Sequence, residues 1–339
     1  ATAAEATATL YPAEPAGVRP EPQPVVAGSA GDGPQVLAAP AVAPFAGVAL
    51  ARAWLDAERN TLVAVSVYTA AHGWPGHTVR LAAALVRYLD SGHYTDALTI
   101  HSHALHAAQR AGDRAAQADA MTNLGSVYWR LGRYGPAAEH HERALLLFRE
   151  FGHRLGEAHA LTNLGNVSWR LGRYQDAADQ HQLALAIFDE MGDGGGLARS
   201  LTNLGNVCWR LGRFQDAAGY HERALALCER LGHRLGAAYA LTNLGNVYCR
   251  WGRYQDAAGH HERALVLFRE FGHRLGEAHT LTSLGDVDTR LGRPHLAVRR
   301  HRQALELFEQ MGERYGEAAA LNGLGEALRA VGRLAEARA

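Results

Sequence analysis

The chain has 339 residues, 47% of them hydrophobic, enough for two ordinary domains or one long repeat array. Its 34 basic and 34 acidic residues cancel, and every basic residue other than histidine is arginine. That balance argues against a general nucleic-acid or membrane-surface binder, which needs a basic excess.

Residues 1–48 hold eight of the eleven prolines, from Pro12 to Pro44, among Ala, Gly and Val. Such a stretch cannot propagate a helix, so it reads as an extended Ala/Pro-rich linker, with a short helix near Ala3–Leu10. Residues 49–80 form a helical adaptor segment. Ala51–Ala71 lacks Gly and Pro and spaces Trp54, Leu62, Val65 and Tyr68 as a helix would. Gly73-Trp74-Pro75-Gly76 breaks it, and a second helix starts near His77.

From Leu81 to Ala339 a 40-residue period governs the chain, with repeats starting at 81, 121, 161, 201, 241 and 281 and a partial one at 321. Thr122-Asn123-Leu124-Gly125 returns at 162, 202 and 242 and decays at 282 and 322. Each repeat predicts two helices. In the 161 repeat the first carries Leu161, Leu164, Ser168 and Leu171 on one stripe and ends at Gly172. The second carries Ala177, His181, Ala184, Leu185 and Phe188 and ends at Gly192. Gly165 and Ala177 allow close approach of the pair. One pair cannot bury both of its faces, so neighbours must stack. The residues beyond the second helix, Phe151–Ala158 for example, account for the long period. Asp193-Gly194-Gly195-Gly196 replaces the usual His-Arg-Leu-Gly there and predicts local flexibility.

Leu124-Gly125, Tyr128, Gly132, Tyr134, Ala137 and Ala144-Leu145 resemble the tetratricopeptide repeat, in its long form found in kinesin light chain and spindle-orienting adaptors. The resemblance implies an all-α, right-handed superhelical solenoid that binds proteins. Upstream, Ala53–Asn60, His72-Gly73-Trp74-Pro75, Tyr88-Leu89-Asp90 and His93-Tyr94 resemble the segment joining the ATPase core to the repeats in SARP-type antibiotic regulators and STAND (NB-ARC) ATPases of actinobacteria. That likeness implies the sensor or regulatory arm of a cytoplasmic transcriptional regulator. Without lysine the chain has no P-loop. It starts without Met and stops inside an unfinished repeat, so we expect a piece of a longer protein.

Asn163, Asn166 and Arg170 lie three and four residues apart, off the core stripe. In the resembled fold that face lines the concave groove. Asn123, Asn163, Asn203 and Asn243, with Asn166, Asn206 and Asn246 beside them, form a ladder whose amides can pair with a guest's backbone. The alternative is that they stitch neighbouring repeats or meet water. Arg130, Arg170, Arg210, Arg250 and Arg290 would favour an acidic peptide, or else pair with residues such as Asp176 and Asp216. Trp129, Trp169 and Trp209 read as side-chain anchors or as packing residues.

His141, His181, His221, His261 and His301 recur once per repeat, too far apart to share zinc, and read as core residues. The cysteines Cys208, Cys228 and Cys249 lack metal or redox spacing and suit a reducing cytoplasm. No secretory signal, membrane span or catalytic constellation is visible, so we expect no enzyme, metal or cofactor. The partner expected is a protein or extended peptide, with the regulator's own upstream domains as one candidate. Self-association through the repeat ends, where 321–339 exposes apolar surface, is the alternative.

Overall fold

The computed structural model describes residues 2–11, 45–333 and 336–337. Its helices are α1 (Thr2–Leu10), α2 (Val48–Ala71), α3 (Pro75–Leu89), α4 (Tyr94–Ala111), α5 (Arg114–Arg130), α6 (Tyr134–Glu150), α7 (Arg154–Arg170) and α8 (Tyr174–Glu190). They continue as α9 (Gly194–Arg210), α10 (Phe214–Arg230), α11 (Arg234–Arg250), α12 (Tyr254–Glu270), α13 (Arg274–Arg290), α14 (Pro294–Met311) and α15 (Arg314–Ala330). The described residues contain no strand. The chain divides into two compact units, residues 1–163 and 164–339.

From α5 to α14, consecutive helices are joined by three-residue links such as Leu171-Gly172-Arg173. Gly172 sits at φ +74°, in the left-handed region that costs glycine nothing. The turn then closes as Arg173 N–H donates to Ser168 C=O at 2.9 Å and Gly172 N–H to Trp169 C=O at 3.1 Å. The Arg173 carbonyl immediately accepts from Ala177 N–H at 3.0 Å and opens the next helix. Helix end and helix start thus share three residues, and the chain reverses with little unpaired backbone.

The sequence places the extra residues of the 40-residue period after the second helix. The structure instead puts Arg154–Ala160 in the first turns of α7, so the period is long because both helices have 17 residues. Leu171 is also displaced from its expected stripe. It lies in the link, 42% exposed, and Val167 is the buried residue of that turn. The glycine triplet likewise belongs to a helix, the first turn of α9. There Asp193 caps it by accepting from Gly196 N–H at 3.0 Å. Ion pairs Arg114–Glu150 and Arg234–Glu270 tie the start of a first helix to the end of its second helix. Gly194 and Arg230 stand at those two positions in the 201 repeat.

In the unit 1–163, α1 packs on α2 and α3 and buries Ala3, Ala6 and Leu10. The remainder of the expected linker, residues 12–44, lies outside the described residues. Of the apolar residues at helical spacing in α2, Trp54 and Leu62 are half-buried, while Val65 and Tyr68 are exposed.

In the unit 164–339, the backbones of the first helices α9, α11, α13 and α15 each come within 8 Å of the next, whereas those of α8, α10, α12 and α14 do not, and these helices meet through long side chains such as Arg263 with Glu229 and Arg300 with Glu262. Equivalent helices that converge on one side and diverge on the other make a curved stack with the first helices innermost. The first helix α9 buries Leu201, Leu204, Val207 and Cys208, and α10 buries Ala217, Ala218, His221, Ala224, Leu225, Leu227 and Cys228.

Each second-helix histidine enters the space left by a first-helix glycine. A Cβ on Gly205 would lie 2.5 Å from His221 Cε1, and one on Gly245 2.5 Å from His261 Cε1. The imidazoles of His141, His181, His221, His261 and His301 are at most 1% exposed. Burial lowers the pKa of each, and of His101, to about 4.

An unfolded histidine titrates near 6.5, so between about pH 6.5 and 4 the unfolded chain binds more protons than the folded one. The stability these groups contribute is complete above pH 6.5 and drains away as pH falls towards 4, by on the order of 3 kcal/mol per imidazole. Asp286, raised to about 6, and Asp119 and Asp288, raised by burial, work the other way, but they are three carboxyls against these six imidazoles and the lowered His140, His260 and His279. We expect the urea midpoint to hold from pH 8 to 7 and to fall steeply between 6 and 4. A flat profile would mean the rings stay hydrated.

Candidate functional site

The expected ladder residues all lie on first helices. In the unit 1–163, Asn123 on α5 and Asn163 on α7 are half-buried. In the unit 164–339, Asn166, Asn203, Asn206 and Asn243 are half-buried and Asn246 is exposed. Asn203 Nδ2 donates to Asn166 Oδ1 at 3.3 Å, joining successive first helices. Among the described residues the amides of Asn123, Asn163, Asn206, Asn243 and Asn246 have no hydrogen-bond partner within the protein. Their donors and acceptors stand at the surface ready for solvent or a guest.

The arginines end the first helices and are exposed. Arg130 pairs with Asp90 at 3.2 Å. Arg210 donates to the Tyr174 hydroxyl at 2.9 Å, and its guanidinium lies 5.9 Å from the Trp209 ring centre. Arg170 lies over Trp169 at 5.8 Å. Asp176 and Asp216 hold none of these arginines among the described ion pairs. Arg250 and Arg290 have no ion-pair partner among the described residues. Trp129, Trp169 and Trp209 are half-buried, and Trp209 packs on the apolar core.

Two features escaped the sequence reading. The column Ser126, Asn166, Asn206, Asn246 continues as Asp286 and Glu326, so the first-helix layer ends acidic. Asp286 is 57% accessible yet hemmed in by protein; desolvation first, then the Glu326 charge, lifts its carboxyl to about 6 against Arg290. Its Oδ1 is 3.6 Å from His301 Nε2.

The second feature is a pair twelve residues apart that joins the two helices in the 121, 161, 241 and 281 repeats. Tyr128 stacks on His140 at 5.3 Å and Tyr248 on His260 at 5.1 Å. Ser168 Oγ donates to Gln180 Oε1 at 2.8 Å, and Asp288 meets Arg300 at 2.9 Å. Both partners change together, which a search at that spacing would have detected. Asp288 is 1% exposed, and burial pushes its carboxyl up in spite of Arg300.

Among the described residues no group of three metal-ligating side chains converges, and no helix is long and apolar enough to cross a membrane. Cys208, Cys228 and Cys249 are free thiols.

Removing the Arg300 side chain leaves the Asp288 carboxyl buried without its cation. Arg300→Ala should therefore cost about 3 kcal/mol in chemical unfolding. The double change Asp288→Tyr with Arg300→His recreates the aromatic pair of the sister repeats and should recover most of it. No recovery would mean the two positions are not coupled.

No curated protein sequence matches this chain. Solved structures do. BtubC (BKLC) from P. vanneervenii is 23% identical over 64% of this chain and 91% of its own, with a TM-score of 0.58. A Rap protein complexed with Competence and Sporulation Factor is 17% identical over 77% of each chain, TM-score 0.54. A STAND protein with a tetratricopeptide repeat sensor from Pyrococcus horikoshii is 12% identical over 84% of this chain but 44% of its own, TM-score 0.67. At these identities the likeness is one of fold. The family model of the tetratricopeptide repeat matches residues 80–150, 137–190, 156–230, 196–270, 236–310 and 276–339, most of the sequence and every 40-residue unit read from it. The chain belongs to the tetratricopeptide repeat family.

Proposed function

We propose that this chain holds an extended, acidic polypeptide against its first-helix layer, as the sensor or regulatory arm of a cytoplasmic SARP-like or STAND-type transcriptional regulator of actinobacteria. The observation that carries the reading is the set of amides without protein partners on successive first helices: Asn206 on α9, and Asn243 and Asn246 on α11. They lie in the inner layer of a curved stack, where one guest strand can meet several repeats at once. Asn123 and Asn163 offer the same groups within the unit 1–163. An amide pairs with backbone N–H and C=O alike, so the grip is largely blind to guest side chains. Each bond contributes about 0.5–1.5 kcal/mol, so useful affinity needs several repeats acting together. Arg210 and Arg250, exposed at the ends of the same helices, supply the preference for carboxylates. The Pyrococcus horikoshii STAND protein carries its repeats as a sensor, and the Rap protein is complexed with a factor, which supports a regulatory reading by analogy of fold. The regulator's own upstream domains are one source of the guest segment.

The test is selection of peptides from a random display library on the whole chain. Selected peptides should be rich in Asp and Glu. The triple change Asn206→Ala, Asn243→Ala, Asn246→Ala should weaken them at least about tenfold, the sum of a few such bonds. It should leave the melting temperature in place, because none of the three amides bonds to the protein. Undiminished binding, or an equal loss of folding, would end this reading.

A second reading, self-association, is favoured by Tyr315, 81% exposed, and Leu321, 53% exposed, on α15. It requires light scattering that rises with concentration and returns to the monomer value in Leu321→Glu. A monomer at all concentrations removes it.

A further inference from the structure

An open cleft of about 540 Å³ lies in the unit 164–339 between α8 and α10, with Leu204 and Cys208 of α9 as its floor. Its size is that of small-ligand sites, roughly 300–1,000 Å³. The internal repeats show what fits there. In the 241 repeat the position of Cys208 is held by Tyr248, whose side chain is buried to 8% exposure. Three groups grip the Tyr248 ring. His260 stacks on it, 5.1 Å between centres and 8° from parallel. The Arg253 guanidinium lies 4.7 Å from its centre. Its hydroxyl donates to Glu222 Oε1 at 3.2 Å.

Forty residues earlier, the counterparts of these three groups are Tyr220, Arg213 and Gln182, and all three line the cleft. An aromatic face, a cation for the ring face and a polar acceptor for the hydroxyl are therefore kept, while the ring itself is replaced by a thiol. Tyr88, in the same column of the 81 repeat, is held alike: its hydroxyl donates to Asp56 Oδ1 at 2.7 Å and its ring lies 4.7 Å from His93.

We propose that this cleft is a socket for a phenol ring, supplied by a tyrosine side chain of a partner polypeptide. The ring would rest on Leu204 and Cys208, stack on Tyr220 under Arg213, and donate its hydroxyl hydrogen to Gln182 Oε1. A polypeptide is the source because the cleft is open at the surface, so a ring held there leaves an edge to solvent and added affinity must come from the chain flanking it. Asp179 and Asp216 stand at the rim for those flanking contacts. The socket is built from α8, α9 and α10 on the outer side of the layer that carries the amides, so it stands apart from the amide-lined face.

The test uses the whole chain, isotopically labelled, titrated with p-cresol, toluene and N-acetyl-tyrosine amide while amide resonances are followed. p-Cresol should saturably shift Gln182, Cys208 and Tyr220. Toluene should bind at least about threefold more weakly for want of the hydroxyl. N-acetyl-tyrosine amide should bind at least as well as p-cresol. Cys208→Tyr should weaken p-cresol about tenfold or more, since the protein's own ring then fills the site, and should raise the melting temperature. The alanine triple of the amide face should bind p-cresol like the unaltered chain, which separates this proposal from the previous one. Absence of saturable shifts at those residues, undiminished binding by Cys208→Tyr, or a lowered melting temperature in that variant would overturn the socket. Refusal of N-acetyl-tyrosine amide would overturn its assignment to a polypeptide.

Discussion

Everything in the array hangs on one contact, a histidine of the second helix seated against a glycine of the first. Because Gly205 offers no Cβ, His221 can lie against the α9 backbone and the two helices close around it. The contact recurs at Gly125 with His141, Gly245 with His261 and Gly285 with His301. It sets the spacing within each helix pair, and the Gly-centred three-residue links set the direction of the next one. The cost is that a titratable ring sits where water cannot follow. Such a ring stays neutral only while the pair remains closed, so acid and packing oppose each other in every repeat.

With the frame held this way, the remaining positions are free to differ. The pair twelve residues apart is aromatic in two repeats, a hydroxyl with an amide in a third and an ion pair in a fourth. Each solution fills the same place between two helices, and each requires both partners to change together. The 201 repeat is the exception. Cys208 leaves that place underfilled, Cys228 stands where the sister repeats have phenylalanine, and three glycines open its first helix. A repeat that has lost apolar bulk at two positions and helix propensity at Gly194 and Gly195 must depend more on its neighbours. That makes the cleft beside Cys208 more than a packing fault, since the groups that would grip a ring there remain.

The first-helix layer has a different logic. Its amides are chemically neutral, so they neither stabilise nor repel a guest by charge. Under the proposed reading direction would come from the flanking columns, arginines at the helix ends and the carboxylates Asp286 and Glu326 in the last repeats. In the proposed binding mode an acidic guest would be drawn towards Arg210 and Arg250 and kept from the acidic end by like charge.

The sequence by itself determined the helix pairs, their period, the glycine-ended turns and the buried histidine column. These depend on near neighbours in the chain, and the 40-residue recurrence prints the same local signals repeatedly. It also singled out Asn206, Asn243 and Asn246 as off-stripe polar groups. Only the tertiary structure decided that Arg154–Ala160 extends α7, that the triplet Gly194–Gly196 lies inside α9, and that Leu171 sits in a link. Each of these turns on where a helix starts or ends, and helix boundaries are set by packing against another helix as much as by local residues. Burial of the Asp288–Arg300 pair and the cleft around Cys208 were beyond reach for a deeper reason. Both arise from side chains that approach across helices, so their meaning appears only when one repeat is laid against another in space.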